Sequence, residues 1–356
     1  MPERGSVADA EPTVITPQRV AIGVVLVLAA LGGLYFLLPK LAGLNHTWGQ
    51  LRHGDAAWLA LGAVFELMSL AGYIALFGTV FGRGVARIDW RTSLQIPLAG
   101  IAAIRLLAAA GAGGVAVTAW ALRRAGMSRR VIACRMVASY ALQYSIYIGA
   151  LVVCGLGLWT GVMPGGGSFA LTLVPALLGA GLAALVASMG LVPRDFERRL
   201  ERLGHRTSRI GRLASRAATV PATLGAGVRT AIELIRDRRP GLFGAIAYWG
   251  FDIAVLGVCL HAFGSVVGVP VLVMSYFLGT LGSLLPLPGG IGGVEGGMIG
   301  ALAAFGVPGG RAVVGVLAYR AISFWLPTLP GIAGYLALQS RVRSWRAADR
   351  AADHPD

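Results

Sequence analysis

The sequence predicts an all-α, polytopic integral-membrane helical bundle, and three observations carry that prediction. Apolar runs of about 20 residues, the length that crosses a bilayer core, recur along the chain. Of its 356 residues, 56% are hydrophobic and only 13% are charged, well below the charge of an ordinary soluble domain. No segment sustains the apolar–polar alternation that a transmembrane barrel needs.

Eight apolar segments can be marked: residues 20–38, 56–81, 93–121, 131–159, 169–191, 241–263, 266–305 and 312–338. Residues 1–19, polar and proline-containing, read as a disordered tail, and 339–356 as a second tail. The first apolar run has no small-residue cleavage pattern after it, so it reads as a retained helix. The formal net charge of +15 would suggest nucleic acid on a soluble protein. Here the arginines sit in short loops between apolar runs, where the positive-inside rule accounts for them, and nucleic acid is not expected. Lys40 is the only lysine. Cys134, Cys154 and Cys259 fall in or beside apolar segments with no close pair, which implies neither a disulfide framework nor a metal site.

Two segments are odd. The third is long and holds Arg105 and then a glycine run, Gly111, Gly113 and Gly114. The seventh is longer and holds "LLPLPGGIGGVEGGM". Arg83, Arg87 and Arg91 precede the third segment, and Arg123, Arg124, Arg129 and Arg130 follow it. Both clusters stay on the cytoplasmic side if this segment is a re-entrant hairpin and not a crossing. The seventh, flanked by nearly uncharged stretches, becomes a hairpin entering from the outer side. Six crossings and two hairpins then place both termini and the arginine-dense loop 194–239 inside a cell membrane. "GAGGVAVTAWALRRAGMS" aligns loosely with "GIGGVEGGMIGALAAFGVP" about half a chain away. The expected architecture is therefore two inverted repeats, about 20–160 and 169–338, with a shared site near the midplane between broken helices. In "RDFERRLERLGHRTSRIGRL" the apolar spacing predicts an amphipathic helix lying on the anionic inner leaflet.

Enzyme signals are poor. There is no G-x-S-x-G elbow, H-E-x-x-H or C-x-x-C, and "GGIGG" lacks the spacing of a dinucleotide fingerprint and the lysine of a P-loop. Neither catalysis, nor a cofactor, nor a metal is expected. The informative residues are ionisable groups inside apolar segments: Glu66, Arg105, Arg135, Asp252, Glu295 and Arg320. Each costs at least about 2.5 kcal/mol at membrane depth and needs a partner or a wet cavity. Arg135, near the cytoplasmic cluster, fits a structural role. Glu66 and Asp252 fit a polar pathway or a structural pair equally well. Glu295 stands where a helix restarts, as a helix cap or a substrate contact. The glycines around it expose N–H groups suited to phosphate, which Arg105 and Arg320 would hold by charge-assisted bonds.

"LPLPGGIGGVEGGMIGALAAFGVP", followed by "YRAISFWLPTLPG", resembles the flippase-like transmembrane family, the lysylphosphatidylglycerol synthase transmembrane region, which also occurs as stand-alone proteins. "GAGGVAVTAWALRRAGMSRR" resembles that family's N-terminal motif, although the family often has a proline and a more polar stretch where this chain has "AAAGAGG". The resemblance implies movement of a lipid, such as an aminoacylated phosphatidylglycerol, between leaflets. Members with synthase activity carry a further soluble domain, and this chain ends at Asp356. By motif position the substrate site would include Pro288, Gly289, Gly290, Gly293, Glu295 and Arg320, joined by Arg105, Gly113 and Gly114. The expected partners are membrane lipids and the anionic inner leaflet. An envelope-synthesis enzyme partner and a homo-oligomer stay open. So do two other functions, a secondary transporter of a small solute and a non-transporting scaffold.

Overall fold

A computed structural model describes residues 54–82, 87–106, 112–191, 209–284 and 290–353. These residues form ten α-helices and no strand. They are α1 (Ala56–Phe81), α2 (Trp90–Leu106), α3 (Ala112–Arg124), α4 (Arg129–Trp159), α5 (Phe169–Leu191), α6 (Arg209–Arg236), α7 (Phe243–Ala262), α8 (Val269–Thr280), α9 (Gly293–Ala304) and α10 (Gly309–Asp353). The segment 20–38, both halves of the N-terminal tail, residues 192–208, Pro288 and Gly289 lie outside the described residues.

Five helices are long and apolar enough to cross a membrane: Ala56–Phe81, Arg129–Trp159, Phe169–Gly190, Pro240–Ala262 and Gly309–Trp345. They match five of the six expected crossings; the sixth is the segment 20–38. The two odd segments are each broken into a pair of short helices. Within α8 and α9 there are 12 residues apiece, a rise of about 18 Å against a hydrocarbon core of about 30 Å. Neither arm can span the bilayer alone. Both pairs are antiparallel hairpins, as the close approaches show. Gly100 faces Thr118 while Gly114 faces Ile104, and Gly279 faces Met298 while Gly282 faces Gly293.

The order helix, hairpin, helix occurs twice: α1, α2–α3, α4, and α7, α8–α9, α10. The first helices of the two units pack antiparallel, with Gly54 against Phe263, Gly62 against Val258 and Gly72 against Gly244. Inverted repeats require this arrangement. The last helix of each unit packs on the other unit's hairpin. Tyr147 of α4 donates to the Phe277 carbonyl of α8 at 3.1 Å, and Gly331 and Gly334 of α10 lie against Leu98 of α2. Each unit is thereby completed by the other. Two apolar cores follow. One gathers Leu256, Leu260, Met274, Phe277, Met298 and Leu302 around the second hairpin. The other gathers Phe77, Phe81, Ile96, Ala99, Leu122 and Leu338 around the first.

Small residues set the closest approaches, because lipid offers helices no hydrophobic reason to associate and van der Waals contact must supply it. A Cβ on Gly244 would come within 2.3 Å of the Gly72 carbonyl oxygen, and one on Gly282 within 2.2 Å of Gly293 backbone. Polar side chains close the helix ends. Asp55 accepts the Ala57 amide at 2.9 Å at the start of α1. Arg135 donates to the Phe81 carbonyl at 3.1 Å, at the end of α1, the structural role expected of it.

The sequence ends the last apolar run at Leu338, but α10 continues to Asp353. Loss of apolar character does not end a helix, and residues 339–353, with neither glycine nor proline, offer no residue that disfavours one. Val342 of this extension is buried against the first core, and Arg341 pairs with Asp89 at 2.7 Å. Asp89 also accepts the Thr92 amide at 2.8 Å, as the N-cap of α2. The Thr92 contacts and the Arg341 guanidinium hold its carboxyl down at about 2. Within the basic loop, α6 packs through Gly227 onto Val137 of α4 and through Val228 onto Gly190 of α5.

Three outcomes are expected in thermal melts of detergent-solubilised protein. Gly244→Ala destabilises by about 1–3 kcal/mol through forced separation of α1 and α7. Gly250→Ala, on the same helix with nothing within 4 Å of its Cβ position, leaves the melt unchanged or raises it. Asp89→Ala costs about 1 kcal/mol at pH 7, the ordinary worth of an N-cap. Because the folded carboxyl titrates below its unfolded value, that contribution is complete above about pH 4 and disappears as pH falls through about 2. A melt difference between wild type and Asp89→Ala that stays constant down to acid pH contradicts this.

Candidate functional site

The site grows out of the α1–α7 crossing. Gly62 against Val255 and Val258 on one side, and Ser69 Oγ donating to the Tyr248 carbonyl at 2.9 Å on the other, set the register. That register brings Glu66 of α1 opposite Asp252 of α7. Glu66 is 5% exposed, and its Oε2 has no hydrogen-bond partner among the described residues. Asp252 is better served: the Tyr276 hydroxyl donates to Oδ2 at 2.5 Å and the Tyr319 hydroxyl to Oδ1 at 3.1 Å. Tyr248, one turn before Asp252, has its ring 5.4 Å from that of Tyr73.

The tips of both hairpins reach one stretch of α10, from Tyr319 to Thr328. From the second hairpin, Glu295 Oε1 accepts Arg320 Nε at 2.6 Å, and its Oε2 accepts the Gly292 amide, also at 2.6 Å. Gly292 has φ of +90°, a conformation open to glycine and strained for other residues, and this turns the chain into α9. Glu295 is fully buried. It is therefore both a helix cap and an arginine partner, and the Gly292 N–H that the sequence offered to phosphate is taken by its own helix's carboxylate. From the first hairpin, Arg105 donates to the Phe324 carbonyl and to Thr328 Oγ1. Pro327 cannot donate to the turn before it, which loosens α10 at this point. The guanidinium carbons of Arg105 and Arg320 lie 5.4 and 5.6 Å from the centroid of the same Phe324 ring. The ring's face thus serves both cations.

Arg105, Tyr248, Asp252 and Arg320 keep part of their surface accessible although they sit at the centre of the bundle. An aromatic series leads outward from them. Tyr276, Phe277, Trp249 and Tyr147 are in successive ring contact, then Tyr144 and Tyr140, which are 48% and 38% exposed. Trp249 Nε1 donates to the Gln143 carbonyl at 2.9 Å and fixes this series to α4.

The sequence-predicted residues do not all meet. Glu66, Arg105, Asp252, Glu295 and Arg320 are brought together. Gly113 and Gly114 are buried in α3, and Gly114 allows the approach of α2, since a Cβ there would come within 2.5 Å of Ile104. Gly290, at φ of +67°, and Gly293 shape the second tip. Tyr276, Tyr319, Phe324 and Thr328 were missed. For Tyr248 a signal existed: it stands four residues before Asp252 on one helix, hence on one face. No group of three or more His, Cys, Asp or Glu suited to a metal occurs among the described residues.

Known proteins share this chain's pattern. Residues 18–331 match the family described as the lysylphosphatidylglycerol synthase TM region. The chain belongs to that family. It is similar to a UPF0104 membrane protein of Methanothermobacter thermautotrophicus strain Delta H, 24% identical over 337 residues, covering 88% of this chain and 94% of that one. A second match to a UPF0104 membrane protein of the same organism is 37% identical over 103 residues, 28% of this chain and 29% of the relative's length. This family member is a multi-pass membrane protein, built as an all-α bundle.

The Arg320–Glu295 pair is buried, so removing one partner strands the other's charge. Arg320→Ala and Glu295→Ala are each expected to destabilise by about 3–5 kcal/mol. The double variant should cost less than the two combined. Melts that add without coupling contradict a tight pair.

Proposed function

We propose that this family member carries a phospholipid headgroup between leaflets while the acyl chains remain in the bilayer. The substrate is an anionic or aminoacylated phospholipid or a lipid-linked envelope precursor, and all of these share a phosphate ester. The observation that carries the reading is the convergence of Arg105 and Arg320, from two different hairpin–helix contacts, on the one Phe324 ring. Two guanidinium forks at a partly accessible interior point suit the oxygens of a phosphodiester. The inverted pairing of the helices supports it, because such repeats place substrate sites at the midplane between broken helices. The aromatic series from Tyr276 to Tyr140 supplies amphipathic surface between that point and the exterior, and the acidic groups nearby suit an amine where the headgroup bears one.

In proteoliposomes, purified protein is expected to equilibrate fluorescently labelled phosphatidylglycerol between leaflets. Arg105→Gln, which keeps much of the side chain's volume, removes a charge-assisted contact worth about 1.5–3 kcal/mol. The translocation rate should fall about tenfold to a hundredfold, while stability in the melt falls by no more than the loss of the Phe324 and Thr328 bonds, about 1–3 kcal/mol. Unchanged lipid distribution with wild-type protein overturns the reading. Lipid-independent uptake of a small solute would replace it with solute transport, and loss of a partner enzyme's activity with normal lipid distribution would replace it with a scaffold.

A further inference from the structure

The charges at the centre of the bundle do not balance. Three carboxyl groups, Glu66, Asp252 and Glu295, face two guanidinium groups, Arg105 and Arg320. With every group ionised the cluster carries one net negative charge, and a single proton makes it neutral. In a low-dielectric interior an uncompensated charge is costly, and a group can escape that cost by changing protonation.

Geometry says where the proton belongs. Glu295 is engaged through both oxygens, by Arg320 and by the Gly292 amide. Asp252 is engaged through both oxygens, by Tyr276 and Tyr319. Glu66 is buried, its Oε2 has no hydrogen-bond partner among the described residues, and the α1–α7 register sets it opposite Asp252. Two carboxylates share no hydrogen bond, because both only accept; one proton turns the contact into a donor–acceptor pair. Among the described residues, the groups that act on this pair are Tyr248 and Cys259 from α7, Arg105 from α2, Tyr276 from α8, and Tyr319 and Arg320 from α10. None supplies the ring of oxygens a sodium ion needs. Ion sites at this depth draw carbonyls from unwound helix, whereas Glu66 and Asp252 both stand inside continuous helices.

We propose that Glu66 and Asp252 form a proton-binding site at the α1–α7 crossing, holding one exchangeable proton between them. The site sits where the first helices of the two units cross, so both units contribute one carboxyl group to it. Its coupling to transport rests on the lipid reading above. A phosphodiester adds a negative charge beside Arg105 and Arg320, and a bound proton offsets it. Headgroup and proton therefore strengthen each other's binding by the same factor, and an anionic headgroup moves together with a proton.

The test uses full-length protein in phosphatidylglycerol nanodiscs, with infrared difference spectra recorded as pH changes. Wild type is expected to show one carboxylic-acid C=O band that fades as pH rises and shifts in D2O. Glu66→Gln should lose it, and Asp252→Asn, which keeps the tyrosine contacts possible, should displace it. Absence of a titrating band in wild type, its persistence unchanged in Glu66→Gln, or its removal by sodium at constant pH overturns the proton site. In proteoliposomes a pH gradient should drive labelled phosphatidylglycerol to accumulate in one leaflet with wild type and not with Glu66→Gln. Wild-type translocation indifferent to the gradient overturns the coupling. An intact titrating band with no lipid movement in any vesicle overturns the lipid reading and leaves the proton site standing.

Discussion

The buried pair between Arg320 and Glu295 ties the second hairpin's tip to α10, and much of the interior depends on that tie. A glutamate at membrane depth needs an answer for each oxygen. Here one answer is a guanidinium and the other is the amide that begins α9. One side chain therefore fixes where the short helix starts, which way it points and which long helix it leans on. Tyr319, the residue before Arg320, reaches Asp252. The tie thus extends to α7, and through the α1–α7 crossing to Glu66.

Each hairpin is closed by a helix from the opposite repeat. Arg105 on the first tip has its acceptors on α10, and Tyr147 on α4 has its acceptor on α8. Irregular backbone at membrane depth is stable only when protein surrounds it, and this exchange supplies the surroundings. Neither repeat can satisfy its own broken helix alone. The same exchange brings charges from separate elements onto α10. An interior polar site is a consequence of closing two broken helices with one long one.

The long elements were legible because length and apolarity follow directly from lipid as solvent. The segment 56–81 read from hydropathy coincides with α1; Gly113 and Gly114 stand in the first turn of α3, just past the break that follows Leu106, and α9 begins at Gly293, the last residue of "PLPGGIGG". The charged members of the site were legible as costly residues in apolar runs. What could not be read was their pairing. Glu66 and Asp252 are far apart in sequence, and they meet only because small residues such as Gly62, Gly72 and Gly244 let α1 and α7 approach in one register. Tyrosine escaped notice because it is ordinary in an apolar segment. Its hydroxyl becomes informative only when an acceptor such as Asp252 stands opposite it.

The asymmetry between the repeats bears on how the site works. Where the second hairpin carries Glu295, the aligned position of the first carries Ala116, and where α10 has Arg320, fourteen residues after Gly306, the position fourteen after Gly126 is Tyr140 of α4. The second unit holds the internal ion pair, while the first contributes a single cation, Arg105, bonded to carbonyl and hydroxyl oxygens of α10. Neutral acceptors release a guanidinium at lower cost than a buried carboxylate does. The second tip is thus held as a fixed wall by Arg320 and Glu295. The first hairpin is held through Arg105 by bonds to neutral oxygens alone, so of the two contacts with α10 it is the one that parts at the lower cost.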